Sequence, residues 1–434
     1  SLGSTRTGTA AGDRGSRGGM NDTGSRPDPQ HHPRSGGRAL QIPFGEFVAL
    51  MALLMALTAL SIDIMLPALP QIGEFFALAN ENDRQLVVTS YMVGLAAGQL
   101  IFGPLSDRFG RKSMLLTGLA IYVAGSLAAV TVEDFAYLFL ARSVQGFGAA
   151  SARVISIAVI RDLFSGWEMA RVTSLVMIIF IIVPVLAPSM GQALLFLGDW
   201  SLIFNLLLAV GIGASIWSAY RLPETHPSGS QRTSVGLVTA LGWIFTSRQT
   251  LGYSIATGFV FGCLMAYINS AQQIFVEVYG LGASFPLVFG AVAGVQAIAA
   301  YTNAQLVQRH GMRRVSHTAL VAFCTSALLL TALSPFKPPL VVFAVLVASL
   351  FFSFGVIVPN FNAIAMQPMG AVAGTASSFI GSYMTGAGAV LGWAIGACFD
   401  GTIRPLAIGF AVLGLSALVT VLVVEGRKGL FRGE

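Results

Sequence analysis

From Phe44 onward the chain is written in long apolar blocks of 20 residues or more, separated by short polar turns. The blocks fall at about 44–68, 85–105, 113–132, 135–160, 172–197 and 200–220. After a polar stretch at 221–248 they resume at 250–276, 285–307, 315–334, 339–364, 371–398 and 403–424. A helix of about 20 apolar residues crosses the hydrocarbon of a bilayer. Backbone polar groups find no water there, so only helices and closed barrels can cross. Barrel strands would alternate apolar and polar residues over about ten positions. These blocks are apolar throughout, so the pattern predicts an all-α membrane protein with twelve transmembrane helices.

Residues 1–40 are rich in Gly, Ser, Arg and Pro and nearly free of large apolar side chains. Such a stretch cannot bury enough surface to offset its ordering entropy and reads as a disordered cytoplasmic tail. It lacks the apolar core of a signal peptide, and Met20 is an internal candidate for the first residue. Composition agrees with a membrane chain. Only 10% of residues are charged and 55% are apolar, against about 25% charged in soluble proteins. Cys263, Cys324 and Cys398 lie far apart within apolar blocks, which argues against a disulfide framework or a zinc site.

The net charge of +6 is spread over short loops. No single basic stripe exists, so a nucleic-acid surface does not explain it. An even number of crossings puts both ends on one side. That side holds twenty Lys and Arg, while the opposite loops hold only Arg84, Lys337 and Arg404. The positive-inside rule then places both termini in the cytoplasm. There is also a repeat. Leu105-x-x-Arg108-x-Gly110 recurs as Leu306-x-x-Arg309-x-Gly311, 201 positions on, and at the same offset Gly191 meets Gly392. The expected organisation is a first six-helix bundle at 41–221, a cytoplasmic linker at 222–248, a second bundle at 249–425 and a short tail at 426–434. Parallel halves related by an axis along the membrane normal are a transporter design, with the substrate site near midplane between them.

Asp63, in LSIDIMLPALP at 60–70, is the only carboxylate placed well inside a block. An ionised side chain there costs about 2.5–3.5 kcal/mol on insertion scales and is a functional candidate by default. His31, His32, His226, His310 and His317 fall in tail, loop or span-end positions, which leaves Asp63 as the leading proton carrier. Counting 1.5 Å per residue from the outer ends of spans 1 and 4 puts Asp63 about 9 Å and Arg142 about 12 Å deep. The guanidinium is therefore expected beside the carboxylate. Burial and a nearby guanidinium pull the protonation of Asp63 in opposite directions, and the residues alone do not say which prevails. Arg142, Gln145 and Arg153 share one helical face, expected to line a cavity, with Arg153 snorkelling toward the cytoplasm. In the second half Tyr267, Asn269, Gln273, Asn360 and Tyr383 are candidates for an uncharged polar substrate wall. Interhelical hydrogen bonding is an equal alternative for each of them. No GxxxxGK[ST] run, metal-ligand cluster or nucleophile–base pair stands in the sequence, so neither enzymatic chemistry nor a cofactor is expected.

The loop after span 2, GPLSDRFGRK at 103–112, packs Asp107, Arg108, Arg111 and Lys112 around Gly110. From spacing alone it is equally a topological stop signal or a charge latch between conformations. It resembles the loop signature of the major facilitator superfamily. RSVQGFGA at 142–149 is similar to that family's span-4 motif. APSMG at 187–191, with Pro188 and Gly191, is similar to its span-5 antiporter motif. SIDIMLPALP resembles the first span of the twelve-span drug:proton antiporters, in the bicyclomycin-resistance-like branch. The resemblance covers about residues 44–425. It implies the major facilitator fold of two pseudo-symmetric six-helix bundles and export of small lipophilic drugs in exchange for protons, driven by the proton gradient. It also implies that Gly103, Asp107, Arg108, Gly110, Arg111 and Asp162 form a conformational latch. The expected setting is a monomer, multi-pass in the bacterial inner membrane, whose partners are lipid, protons and a drug-like molecule. Three positions depart from the family pattern. Gln192 replaces a second glycine, Ile157 stands where an arginine precedes the Arg161–Asp162 pair, and Met55 replaces a second acid. A metabolite importer or facilitator on the same fold is the alternative.

Overall fold

The computed structural model describes residues 42–225 and 237–426. The expected tails at 1–40 and 427–434, and linker positions 226–236, lie outside the described residues. The first half holds α1 (Phe44–Asp63), α2 (Leu86–Phe109), α3 (Arg111–Val130), α4 (Phe135–Leu163), α5 (Gly166–Leu197) and α6 (Ser201–Arg221). The second holds α7 (Arg248–Gln272), α8 (Phe285–His310), α9 (Met312–Leu333), α10 (Leu340–Met366), α11 (Ala373–Gly396) and α12 (Arg404–Glu425). Eleven helical segments among the described residues are long and apolar enough to cross a membrane. The remaining long helix is α11. Glycine and serine recur along it and lower its hydropathy, and it packs between α2 and α7. Residues 42 and 426 share what is called here the near face; the turns after α1, α3 and α5 lie at the far face.

Local chemistry sets the helix ends. Asp134 caps α4 by accepting from Ala136 N (2.7 Å), and Ser247 caps α7 by accepting from Thr250 N (3.2 Å), each satisfying an orphan amide of the first turn. Gly110 and Gly311 link α2 to α3 and α8 to α9 with φ of +97° and +77°, a region open to glycine without strain. α1 stops at Asp63, earlier than the apolar block suggests. Pro67 then sits in a short 3₁₀ turn, Leu66–Ala68, followed by a small helix, Leu69–Phe75.

Lipid gives helices little hydrophobic reason to associate, so small residues that permit close backbone approach govern the packing. α4 is held against α2 in this way. A Cβ on Gly94 would strike the Ser143 carbonyl, and one on Gly146 the Tyr91 carbonyl. The repeat extends to single contacts. Gly191 of α5 lies against the Ile64 carbonyl, and Gly392 of α11 lies against Met265. Both members of the second pair stand 201 positions after those of the first.

Two expectations change. The stretch read as a polar linker carries a helix, Leu237–Thr246, whose Ala240 and Ile244 bury against Met369 and Val372 of the α10–α11 turn and Ala376 of α11. Its sequence LVTALGWIFT is apolar and too short to cross, so it docks on the bundle instead. Cys398 is exposed beyond α11, while Cys263 and Cys324 are buried. His317 stands near the end of its span, as expected. It is buried in α9, 2.8 Å from Tyr253 Oη, which donates to Glu425 Oε1 at 2.8 Å.

Candidate functional site

Asp63 closes α1 and is 4% exposed. It makes no hydrogen bond or ion pair with another described residue. The break that follows it is where Gly191 of the APSMG segment packs, so the two features singled out in spans 1 and 5 meet at one place. α5 contains both Pro184 and Pro188 on this stretch, and its Val185 carbonyl approaches Gly290 of α8 in the other half.

Arg142 is fully buried. Its Nε donates to Val87 O (3.1 Å), its Nη2 to Ser61 O (2.9 Å) and its Nη1 to Gln145 Oε1. The guanidinium stacks over Tyr91 at 4.5 Å and Phe204 at 5.7 Å. The expected pairing with Asp63 is therefore corrected. Arg142 reaches α1 two residues earlier, at a carbonyl, and two carbonyls, an amide and two aromatic faces take the place of a carboxylate. Gln145 is corrected with it. It faces α3, donating to Ser126 Oγ at 2.7 Å, and is absent from the lining of the cavity between the halves. Tyr122 joins the same cluster, 2.8 Å from Ser61 Oγ.

The far face is shut between the halves. Asn82 donates to Ala397 O (3.1 Å) and Phe399 O (3.0 Å). Gln85 donates to Gln273 Oε1 (2.6 Å) and Gly396 O (3.1 Å), and Gln273 donates back to Asn82 Oδ1 (2.7 Å). Arg84 pairs with Glu277. Gln273, expected on a substrate wall, is a strut of this clasp. Tyr267, Asn269, Asn360 and Tyr383 are likewise absent from the inter-half cavity. Tyr267 is enclosed by Phe275, Phe289 and Phe351, and Asn360 donates to Asn303 Oδ1 at 2.7 Å within the second half. Tyr383 stacks on Phe379. Tyr267 Oη, Asn269 Oδ1 and Gln272 Oε1 of α7 are buried without hydrogen-bond partners.

Toward the near face the halves part around a cavity of about 260 Å³ between α2 and α4 on one side and α10 and α11 on the other. Gln99, Arg153, Asn362 and Ser378 are among its polar lining. Above it α2 and α11 stay joined: Gln99 donates to Thr385 Oγ1 (3.3 Å) and Ser382 to Ala96 O (2.7 Å). Arg153, expected to snorkel, sits in the cavity wall. Sequence reasoning passed over Gln99, a polar residue in mid-span that looked like packing.

The latch residues converge on Arg111. It pairs with Asp107 at 2.6 Å and Asp162 at 2.8 Å, and donates to Ser106 Oγ at 2.7 Å. Gly103 lies against Ser378 of the other half. Arg108 stays outside, exposed and stacked over Phe109. Glu224 was missed. Its carboxylate accepts from the backbone amides of Arg111 (2.8 Å) and Lys112 (3.1 Å), neutralising the positive end of α3. The repeat offset points to it, because Glu425, 201 positions on, pairs with Arg313 at the start of α9. Among the described residues no group of His, Cys, Asp and Glu is placed to hold a metal ion.

Comparison with known proteins agrees with this architecture. Residues 51–397 match the profile of the Major Facilitator Superfamily. The chain is 31% identical over 363 residues to the uncharacterized MFS-type transporter YdgK of Bacillus subtilis, covering 81% of this chain and 87% of that one. It is 28% identical over 383 residues to a bicyclomycin resistance protein homolog of Haemophilus influenzae (87% and 94%). It is 26% identical over 321 residues to the multidrug resistance protein MdtL of Klebsiella pneumoniae (74% and 80%). Among solved structures, the crystal structure of a D-xylose-proton symporter superposes with a TM-score of 0.70 at 14% identity, covering 87% of this chain and 97% of the other. A bacterial homolog of the human lysosomal transporter Spinster, inward-facing and unoccupied, gives a TM-score of 0.68 at 14% identity (90% and 96%). The chain belongs to the Major Facilitator Superfamily, a family of transporters and not of enzymes, on the branch of the bicyclomycin- and multidrug-resistance proteins.

Proposed function

We propose that the protein is a proton-coupled exporter of small lipophilic compounds, working by alternating access from the bacterial inner membrane with both termini in the cytoplasm. The observation that carries this reading is Asp63: a buried carboxyl with no partner among the described residues, at the helix break against which Gly191 packs. A buried charge without a counter-ion is costly. Whether Asp63 holds a proton therefore depends on whether water reaches it, and that changes as the far face opens. In the present arrangement the far face is clasped and the cavity lies toward the near, basic face. Rocking the halves would break the clasp, hydrate the region of Asp63, and release proton and cargo to opposite sides on successive half-cycles. The names of the relatives favour drug-like cargo.

Asp63→Asn tests it. Reconstituted Asp63→Asn should retain the melting temperature of the parent and still exchange substrate for substrate, yet lose efflux driven by a pH gradient. Gradient-driven efflux at the parental rate would sink the proposal. Uptake of a nutrient by cells expressing the parent, with no dye efflux, would favour the importer alternative.

A further inference from the structure

We propose that the inter-half cavity holds its substrate by an acidic group on Arg153, so that amphiphilic carboxylates are preferred to lipophilic cations. This deepens the export reading and rests on it.

The charges around the cavity do not balance. Its lining includes Arg111, Arg153 and Arg161 but one acid, Asp107. Arg111 is already engaged by Asp107 and Asp162. Arg161 is exposed at the rim. Arg153 makes no hydrogen bond or ion pair with another described residue. It stands ten residues before the end of α4 at Leu163, roughly 15 Å by the helical rise. That exceeds the reach of an arginine side chain, so its head stays within the cavity and does not extend past the end of α4. One turn nearer the face, Ile157 presents an apolar side chain to the same cavity, which sets Arg153 apart from Arg161 at the solvent-exposed rim. A guanidinium has only donors to offer, in a planar fork that matches a carboxylate. Across the cavity Asn362 Oδ1 is buried without a partner, an acceptor ready for a donor on the same ligand. Val154, Ile380, Met366 and Met384 supply adaptable apolar contacts for the ligand body. A cationic ligand would meet an uncompensated guanidinium and one carboxylate that is already engaged.

The test uses three probes with one fluorophore: dansylglycine (anionic), dansylglycinamide (neutral) and dansylcadaverine (cationic). Binding to the full-length protein in detergent is read by dansyl emission. The parent should bind dansylglycine at least tenfold more tightly than dansylcadaverine. Arg153→Gln should abolish that preference at unchanged melting temperature, and Arg153→Lys should keep part of it. Equal or tighter binding of the cation by the parent, no saturable binding of dansylglycine, or less than a twofold loss in a folded Arg153→Gln protein would each overturn the inference. If Arg153→Gln does not fold, the parental probe series and Arg153→Lys decide. Flux in inverted vesicles separates the two readings. Dansylglycine bound but never transported counts against export alone, whereas cation efflux without anion preference counts against the role of Arg153 alone.

Discussion

Removing one strut of the far-face clasp should shift the resting conformation. Gln273 accepts from Gln85 at 2.6 Å and donates to Asn82 at 2.7 Å, and both partners belong to the opposite half. A neutral hydrogen bond is worth about 0.5–1.5 kcal/mol net, so Gln273→Ala removes about 1–3 kcal/mol. The loss falls on the far-closed state, because separation of the halves exposes all three side chains to water. At about 1.4 kcal/mol per factor of ten, the equilibrium moves roughly 5- to 150-fold toward the far-open state. Spin labels on Glu74→Cys and Phe336→Cys, both exposed positions near the far face, with Cys398 replaced by serine, would read the change by double electron–electron resonance. The longer-distance population should grow by that ratio. An unchanged distance distribution would refute the reasoning. So would a fall in melting temperature with the distribution intact, since it would mean that the bonds persist in both states.

Other outcomes follow from single contacts. Arg142→Ala should destabilise the protein by about 4 kcal/mol or more, since it removes three hydrogen bonds made by a buried charge. Arg142→Lys should recover little, because an ammonium cannot span those partners as a planar fork does; chemical denaturation checks both. Gly191→Leu and Gly392→Leu should each cost folded yield, whereas Gly213→Leu, with open space around it, should not; size-exclusion profiles tell them apart. Glu224→Ala should destabilise the start of α3 by about 1–2 kcal/mol, visible as faster amide exchange at Arg111 and Lys112.

The crossings were legible in the sequence because lipid leaves the backbone few options, and hydropathy reports that constraint directly. The Asp107–Arg111 pair was legible for another reason: the two residues flank the short Gly110 turn, so local spacing brings them together, although spacing alone left a stop signal and a latch equal. The partners of Arg142 were not legible. Helical rise gave its depth to within two residues, but the rotation of α4, set by glycine contacts such as Gly146 on Tyr91, decides what the side chain meets. The cavity lining failed for a related reason. Gln273, just past α7, meets the other half while Tyr267 packs within its own, and whether such residues meet solvent or protein depends on which face is closed; sequence does not encode a single state. The Leu237–Thr246 helix was hidden because its apolar run is too short to stand out as a crossing.

The paired contacts of Gly191 with Ile64 and Gly392 with Met265 carry a consequence of their own. The position matching Asp63 in the second copy is Leu264. The scaffold was duplicated, but its ionisable residue exists once. On the proposed mechanism the two copies are free to diverge in different directions. Drift in the second can broaden or narrow the range of cargo while the first keeps its energetic link to the gradient, and a new resistance spectrum need not be reinvented from the motor upward.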